Sequence, residues 1–379
     1  MDVSLVLTHD CNLACTYCFA GEKSKRRMSG ATLDAALALA FGDDSPSVRL
    51  SFFGGEPTLE WELIKIACGK ARAHAAHFGK QLQLSITTNA TRIDRARAAF
   101  LREAGFYVGV SIDGTQAAHD ATRPRRGGRG SFAQTFAGLT ACLDEGVALE
   151  TISVVDPANV ALLGESVRFL ADVGVDRLAL NPRFSAEWTP AALAAWERGY
   201  EDVAACFVER AEAGRPIHVN VLADKMLAHV KGGLQPGDRC AAGRGSVAVA
   251  PSGNIYPCAR MVGEDHGGAQ EGILLGHVEA GGLDAGRAAV FRAMHAPAED
   301  PGQVHEGCGG CGIRTRCMSS CACVNREETG EVGVIGGLLC WHEQLAGRVA
   351  DHAAARLYER RNRSFLKVIY SLPIDEVRS

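Results

Sequence analysis

Three cysteines within eight residues, Cys11, Cys15 and Cys18, constrain this 379-residue chain more than any other feature. Their spacing is C-x3-C-x2-C. Four thiolates would close a tetrahedral zinc site or fill every corner of a 4Fe–4S cluster. Three leave one position open, and an iron with an open position binds a further molecule directly. Two plainer readings stand beside this one: half of a zinc site, or buried thiols that act as small apolar side chains.

Composition narrows the setting. The chain has 40 basic and 44 acidic residues and a net charge of −4, so nothing draws it as a whole towards nucleic acid. An apolar content of 47% is ample for a core, and the length suits about two or three domains. No run of about 18 apolar residues marks a membrane span. No basic stretch followed by an apolar one marks a signal peptide. A cytoplasmic protein without nucleic-acid or membrane partners is expected. In that setting 14 clustered cysteines point to metal rather than to disulfides.

Strand and helix patterns alternate through the first half. Residues 3–8, 48–53, 82–88, 106–112, 149–155 and 177–181 read as strands. Residues 29–42, 60–78, 94–104, 131–145 and 158–172 read as the helices between them, and Ser29 suits an N-cap. Helical crossovers imply parallel strands, with ligands at their C-terminal ends. The cysteine loop follows the first strand, and Gly54-Gly55-Glu56-Pro57 follows the second. Residues 189–213 read as a long amphipathic helix, with a short strand at 217–222 and a helical turn after it. Cys68, Cys142 and Cys206 fall in predicted helices and read as buried thiols.

The loop Cys11–Cys18, with Tyr17 just before its third cysteine, resembles the cluster loop of the radical S-adenosylmethionine (SAM) enzymes. That resemblance implies an open iron that chelates SAM. An electron then cleaves SAM to methionine and a 5′-deoxyadenosyl radical. It also implies an α/β fold, a partial (β/α)6 barrel. Gly54-Gly55-Glu56-Pro57 resembles the motif that binds the SAM amino group. Thr88 and Asn89 match positions near the SAM ribose and methionine, although Ala90 stands where the family often has glycine. Ser111 and Asp113 match positions near the SAM carboxylate and ribose; the plainer reading is a strand-end turn. An arginine completes the carboxylate grip in such sites, and Arg123, Arg125, Arg126 and Arg129 are all candidates. This basic stretch and Lys23, Lys25, Arg26 and Arg27 suit attraction of an acidic peptide, or simple solvation.

The second half resembles a SPASM domain. Cys240, Gly253 and Cys258 are followed by Cys308-x2-Cys311-x5-Cys317-x3-Cys321 and then Cys340. The resemblance implies two auxiliary 4Fe–4S clusters, one on Cys240, Cys258 and Cys321, the other on Cys308, Cys311, Cys317 and Cys340. With the first cluster, that makes three. The fourth ligand of the first auxiliary cluster stays open between Cys323, another residue and the substrate. Zinc is the alternative for this half. Residues 247–250 and 255–256 read as a hairpin, 263–286 as a surface connection, 343–362 as a helix, and 364–374 as a docked strand or an association patch. The expected domains are a barrel at 1–188, a bridge at 189–236, the SPASM domain at 237–343, and a helix and tail at 344–379.

The expected function is a radical SAM/SPASM maturase acting on a side chain of a ribosomally made peptide, forming a crosslink or oxidising it. Formylglycine formation in sulfatases is the alternative, and a non-catalytic iron–sulfur redox protein the reading from another class. Expected partners are a peptide or protein substrate and an electron donor such as flavodoxin or ferredoxin. Because the sequence opens directly on the first strand, a separate leader-recognition protein is a further expected partner. No catalytic base can be named; acidic residues such as Asp265 and Glu264 are candidates for it, and neither is assigned to the site.

Overall fold

The computed structural model describes residues 1–266, 272–299, 307–363 and 365. They form two compact units. The first comprises 1–111, 123–149 and 241–296; the second comprises 112–122, 150–240 and the C-terminal residues from 297.

In the first unit β1 (Asp2–Val6), β2 (Ser47–Phe53), β3 (Gln81–Thr88) and β4 (Phe106–Ser111) are parallel neighbours in that order. The crossovers are α1 (Gly30–Phe41), α2 (Trp61–Phe78) and α3 (Arg95–Glu103). The Ser29 hydroxyl accepts the Thr32 amide at 3.0 Å, so α1 has its expected N-cap. Leu5, Leu37, Leu50 and Phe52 are fully buried between sheet and helices, each contributing roughly 1.5–3 kcal/mol.

Two elements of the second unit complete the alternation: α4 (Gln116–Thr122) and β5 (Leu149–Val155). Between them in sequence lies α5 (Phe132–Asp144), which belongs to the first unit. The second unit continues with α6 (Leu163–Val173), β6 (Arg177–Pro182), α7 (Pro190–Glu212), β7 (His218–Val219) and α8 (Asn220–Val230). β5, β6 and β7 pair in parallel. The molecule is thus of the expected α/β class, with a parallel sheet of the partial-barrel kind.

A hairpin of β8 (Ser246–Val249) and β9 (Asn254–Tyr256) stands where one was expected, and β8 also pairs in parallel with β1, from Asp2 opposite Ser246 to Leu5 opposite Val249. Short strands β10 (Gly276–His277) and β11 (Gly282–Leu283) extend it, followed by α9 (Ala285–Glu299). Part of the expected surface connection is therefore sheet.

The expected strand at 217–222 ends at Val219. Asn220 Oδ1 accepts the Leu180 amide at 2.8 Å, and its Nδ2 donates to the Leu180 carbonyl at 3.3 Å. The side chain thus takes over the bonds that a longer strand would make. The helix-forming run that follows then winds into α8, three turns rather than one. Near the C-terminus α10 (Ala322–Thr329) precedes α11 (Gly337–Glu359). Glu328 on α10 accepts the Leu338 and Leu339 amides at 2.7 and 3.0 Å, so α11 starts six residues before the expected position. The expected strand at 364–374 lies outside the described residues apart from Phe365, which is buried. Among the described residues no helix is long and apolar enough to cross a membrane.

A buried ion pair ties α8 to α11. Lys225 Nζ donates to Glu343 Oε2 and to the Arg316 carbonyl, and the same Glu343 oxygen accepts the Met318 amide at 2.6 Å. Burial alone would raise the Glu343 pKa, but the Lys225 ammonium outweighs it and holds the group down to about 2. Breaking such a pair strands a buried charge. Glu343→Ala is expected to lose about 3–5 kcal/mol of unfolding free energy in anaerobic denaturant titrations, and Lys225→Met/Glu343→Leu much less.

Candidate functional site

The site in the first unit is built by backbone bonds between two strand ends. Beyond β1 the chain runs through Leu7, Thr8, His9 and Asp10 into the cysteine loop. Beyond β2 the Gly55 amide donates to the Thr8 carbonyl and the Glu56 amide to the Asp10 carbonyl, both at 2.8 Å. A Cβ on Gly54 would lie 2.6 Å from the Thr8 carbonyl oxygen, and one on Gly55 2.2 Å from that of Asp10. The glycine pair is therefore a requirement of this approach.

Glu56 turns inward and is 1% exposed. Its Oε1 accepts the Thr58 amide (3.0 Å), the Thr58 hydroxyl (2.6 Å) and the Thr88 hydroxyl (2.7 Å); its Oε2 accepts the Asn89 amide (2.7 Å). Burial raises its pKa against the pull of these donors. Asn89 Nδ2 in turn lies 3.0 Å from Asn12 Oδ1 and 3.8 Å from Cys11 Sγ. The structure thus brings Glu56, Thr88 and Asn89 together with Cys11. Pro57 is buried at the start of a short helical turn, and Ser111 is half-buried at the end of β4. Ala90 has φ of +56°, so alanine here adopts the conformation that a glycine would take without strain.

The three cysteines share one loop. Cys11 is buried; Cys15 and Cys18 are half-buried. The Leu13 amide donates to Cys11 Sγ at 3.4 Å, and Lys23 Nζ to Cys18 Sγ at 2.7 Å. Burial, with the Glu56 charge behind it, pushes the Cys11 thiol up to about 12. Such a thiol becomes a thiolate only beside a strong cation. A loop of three soft sulfur donors, with N–H groups aimed at two of them, fits an iron–sulfur cluster. Of the four candidate arginines only Arg123 is buried, and its guanidinium lies over the Tyr17 ring, 5.2 Å from the centroid. Arg126 pairs with Asp10 at 2.6 Å.

The carboxylate of Asp265 is a junction that the sequence did not disclose. It has no exposed side-chain surface. It accepts from Asn254 Nδ2 and the Tyr256 hydroxyl at 2.9 Å and from the Ser252 amide at 3.3 Å, all on the β8–β9 hairpin. It also faces Arg26 at 3.4 Å and His9 at 3.7 Å. Burial opposes ionisation, but these donors hold the group well below the usual carboxylate range. The one local signal is an acidic residue beside a glycine-rich stretch. Glu264 accepts the Glu22 amide at 2.8 Å and so pins the chain just beyond Cys18.

In the second unit Asp113 is buried as a strut. Its Oδ2 accepts the Thr122 hydroxyl at 2.7 Å and its Oδ1 the Val154 amide at 2.8 Å. Two cysteine neighbourhoods are visible there. Cys340, in the first turn of α11, and Cys311 stand close enough to Cys308 that, after burial, their charges raise its pKa. Cys321 is raised by Cys323, whose sulfur lies 3.5 Å away, then by burial and by Cys240. Cys317 is pushed up to about 12 by burial and then by Glu343. Cys258 belongs to the first unit and follows β9. Cys68, Cys142 and Cys206 are buried, as expected. The described residues include all 14 cysteines, and none forms a disulfide. Among the described residues no three His, Cys, Asp or Glu side chains gather as ligands of a single ion.

Residues 5–170 match the model of the Radical SAM superfamily, so the chain contains a radical SAM domain. A 177-residue match at 30% identity, to an uncharacterized protein of Methanocaldococcus jannaschii, covers 47% of this chain and 60% of that protein. Two matches run further. A serine-type anaerobic sulfatase-maturating enzyme of Klebsiella aerogenes is 24% identical over 82% of this chain and 76% of its own. Mycofactocin maturase MftC of Mycobacterium ulcerans is 29% identical over 83% and 81%. The structure of anSMEcpe with bound AdoMet superposes with a TM-score of 0.77 over 97% of this chain and 98% of that one, at 18% identity. Streptococcus suis SuiB bound to precursor peptide SuiA gives 0.59 over 89% and 75%, at 17% identity.

Gly55→Ala is expected to force the two strand ends apart and cost about 1–3 kcal/mol. Gly69→Ala, on an open face of α2 with nothing within 4 Å, is expected to gain about 0.5–1 kcal/mol. Thermal unfolding of the two variants beside the parent reads both signs.

Proposed function

We propose that this chain is a radical SAM maturase that cleaves S-adenosylmethionine reductively and modifies a side chain of a ribosomally made peptide. The observation that carries the reading is the junction of Cys11 and Asn89 with Glu56 and Thr88. It joins three strand-end motifs that lie far apart in sequence. Cys11, Cys15 and Cys18 would hold the first 4Fe–4S cluster, whose open iron supplies the SAM-binding position and the electron for cleavage. Glu56 spends its carboxylate on Thr58, Thr88 and Asn89, so its part is to hold Asn89 against the cysteine loop. Gly54, Gly55 and Pro57 shape that turn. Arg123 is the arginine we assign to the SAM carboxylate, since it is buried against the loop aromatic. Ser111 lies at the next strand end. Asp113 serves through its backbone and as a strut, because its carboxylate is engaged by Thr122 and Val154.

The proposed auxiliary clusters take Cys308, Cys311, Cys317 and Cys340 in one case, and Cys240, Cys258 and Cys321 in the other. The association of Cys308 with Cys311 and Cys340, and of Cys321 with Cys240, supports that division. Cys323, whose sulfur lies 3.5 Å from that of Cys321, is the leading candidate for the remaining ligand. The donor would be flavodoxin or ferredoxin, and a leader-recognition protein a further partner.

A peptide substrate is supported by the maturase relatives and by the SuiB complex with its precursor peptide. The Klebsiella relative favours a second reading, formylglycine formation in a sulfatase. After anaerobic reconstitution the chain is expected to bind about twelve irons and, once reduced, to release 5′-deoxyadenosine from SAM. The Cys11/Cys15/Cys18→Ala variant should retain about eight irons and release none. Cleavage by that variant at the parent's rate would sink the reading. Incubation with a sulfatase peptide and with precursor peptides, followed by mass spectrometry, separates the two substrates.

A further inference from the structure

We infer that the exposed side of the cysteine loop is the docking surface for an acidic one-electron carrier protein, and that Lys25, Arg27, Arg125 and Arg129 form its basic rim. Two basic stretches more than ninety residues apart in sequence flank this one loop. Thr8 bridges to Arg27 on one side, where the His9 amide also donates to the Arg26 carbonyl at 2.9 Å. Leu13 bridges to Arg125 on the other, where the Ala14 amide donates to the Pro124 carbonyl at 2.8 Å. Gly127 and Gly128, both at positive φ, close a tight turn in which the Arg125 amide meets the Arg129 carbonyl at 2.8 Å. The turn therefore brings two arginines together.

Among the described residues some of these cations have acidic partners: Arg26 has Asp265 and Arg126 has Asp10. Among the described residues Lys25, Arg27, Arg125 and Arg129 have no acidic side chain within 4.0 Å. Like charges gathered this way repel, and they do so in a chain whose net charge is −4. An incoming partner of opposite sign offsets that repulsion and is steered by it. Between the two basic stretches the loop exposes Ala14, Thr16 and Phe19, the last 41% accessible. A small apolar centre with a charged rim is the form of a weak, transient redox contact, whose interfaces lie at the low end of the size range.

Cys11, Glu56, Thr88 and Asn89 all face inward, so a molecule to be modified must reach that side. An electron carrier needs only the outer one. At the surface the carrier would be oxidised by one electron and the 4Fe–4S cluster that Cys11, Cys15 and Cys18 would hold would be reduced by one; no atom or proton is exchanged.

The inference rests on the radical SAM reading, and the test keeps the two apart. Release of 5′-deoxyadenosine is measured with dithionite and, separately, with enzymatically reduced flavodoxin as the acidic carrier. Lys25→Glu/Arg27→Glu is expected to keep the dithionite rate within about twofold. Its flavodoxin KM should rise about tenfold or more, and its salt dependence should flatten. Arg129→Glu should raise the flavodoxin KM in the same direction. An unchanged flavodoxin KM overturns the docking surface, as does an equal fall with both reductants. So does a loss of acidic-peptide binding with carrier kinetics intact. If the parent releases nothing even with dithionite, the radical SAM reading fails. Salt-sensitive binding of oxidised flavodoxin, lost in Lys25→Glu/Arg27→Glu, then still decides the surface.

Discussion

Two backbone hydrogen bonds, from Gly55 to Thr8 and from Glu56 to Asp10, hold the rest of the site in place. They bring the turn after the second strand against the entry to the cysteine loop. Only residues without a Cβ permit the distance. Once that contact is made, the direction of Glu56 is fixed. Its carboxylate then meets the end of the third strand, and Asn89 is carried to Cys11. Each step is short and local in space, although the residues span about eighty positions of sequence.

The carboxylates that the sequence marks as ligand-binding are largely engaged in the structure. Glu56 accepts four hydrogen bonds, and Asp113 is held by Thr122 and Val154. A buried carboxylate without donors would cost several kcal/mol and would give up its charge instead. Their engagement makes these groups struts. What they leave available to a bound molecule is the backbone and the neighbouring side chains that they orient. Asp265 carries the same logic between the β8–β9 hairpin and the cysteine loop, with its main chain in the left-handed region at φ +56°. Aspartate tolerates that conformation better than most side chains.

Legibility followed the range of the determining contact. The cysteine spacing, the Gly-Gly turn, the Ser29 cap and the hairpin turn are specified within a few residues, and each stands where the sequence puts it. The parallel strands between Asp2 and Ser111 follow from apolar patterning and lie within a residue or two of their expected bounds. Elements fixed from a distance were not legible. Asn220 ends a strand by bonding to Leu180, forty positions away. Glu328 starts a helix from a neighbouring helix. The pairing of β8 with β1 joins segments more than two hundred residues apart, and no local pattern announces it. Asp265 has its meaning only through residues 9, 26, 252, 254 and 256.

The thiols show why an iron–sulfur reading suits this interior better than free-thiol chemistry does. Burial pushes Cys11 and Cys317 up to about 12. Neither is an effective nucleophile at neutral pH, because the thiolate is the reactive form. Nor does Cys11 lie in a simple apolar core. The Leu13 amide and the Asn89 side chain point N–H groups at its sulfur. Weak donors aimed at a sulfur gain little from a neutral thiol and much more from an anionic one. With a cation held at the loop the conflict between burial and these donors would be resolved: Cys11 would be held as a thiolate, and the N–H groups of Leu13 and Asn89 would meet the charge they are placed to stabilise. The same geometry without a metal would leave a buried thiol surrounded by donors it scarcely uses.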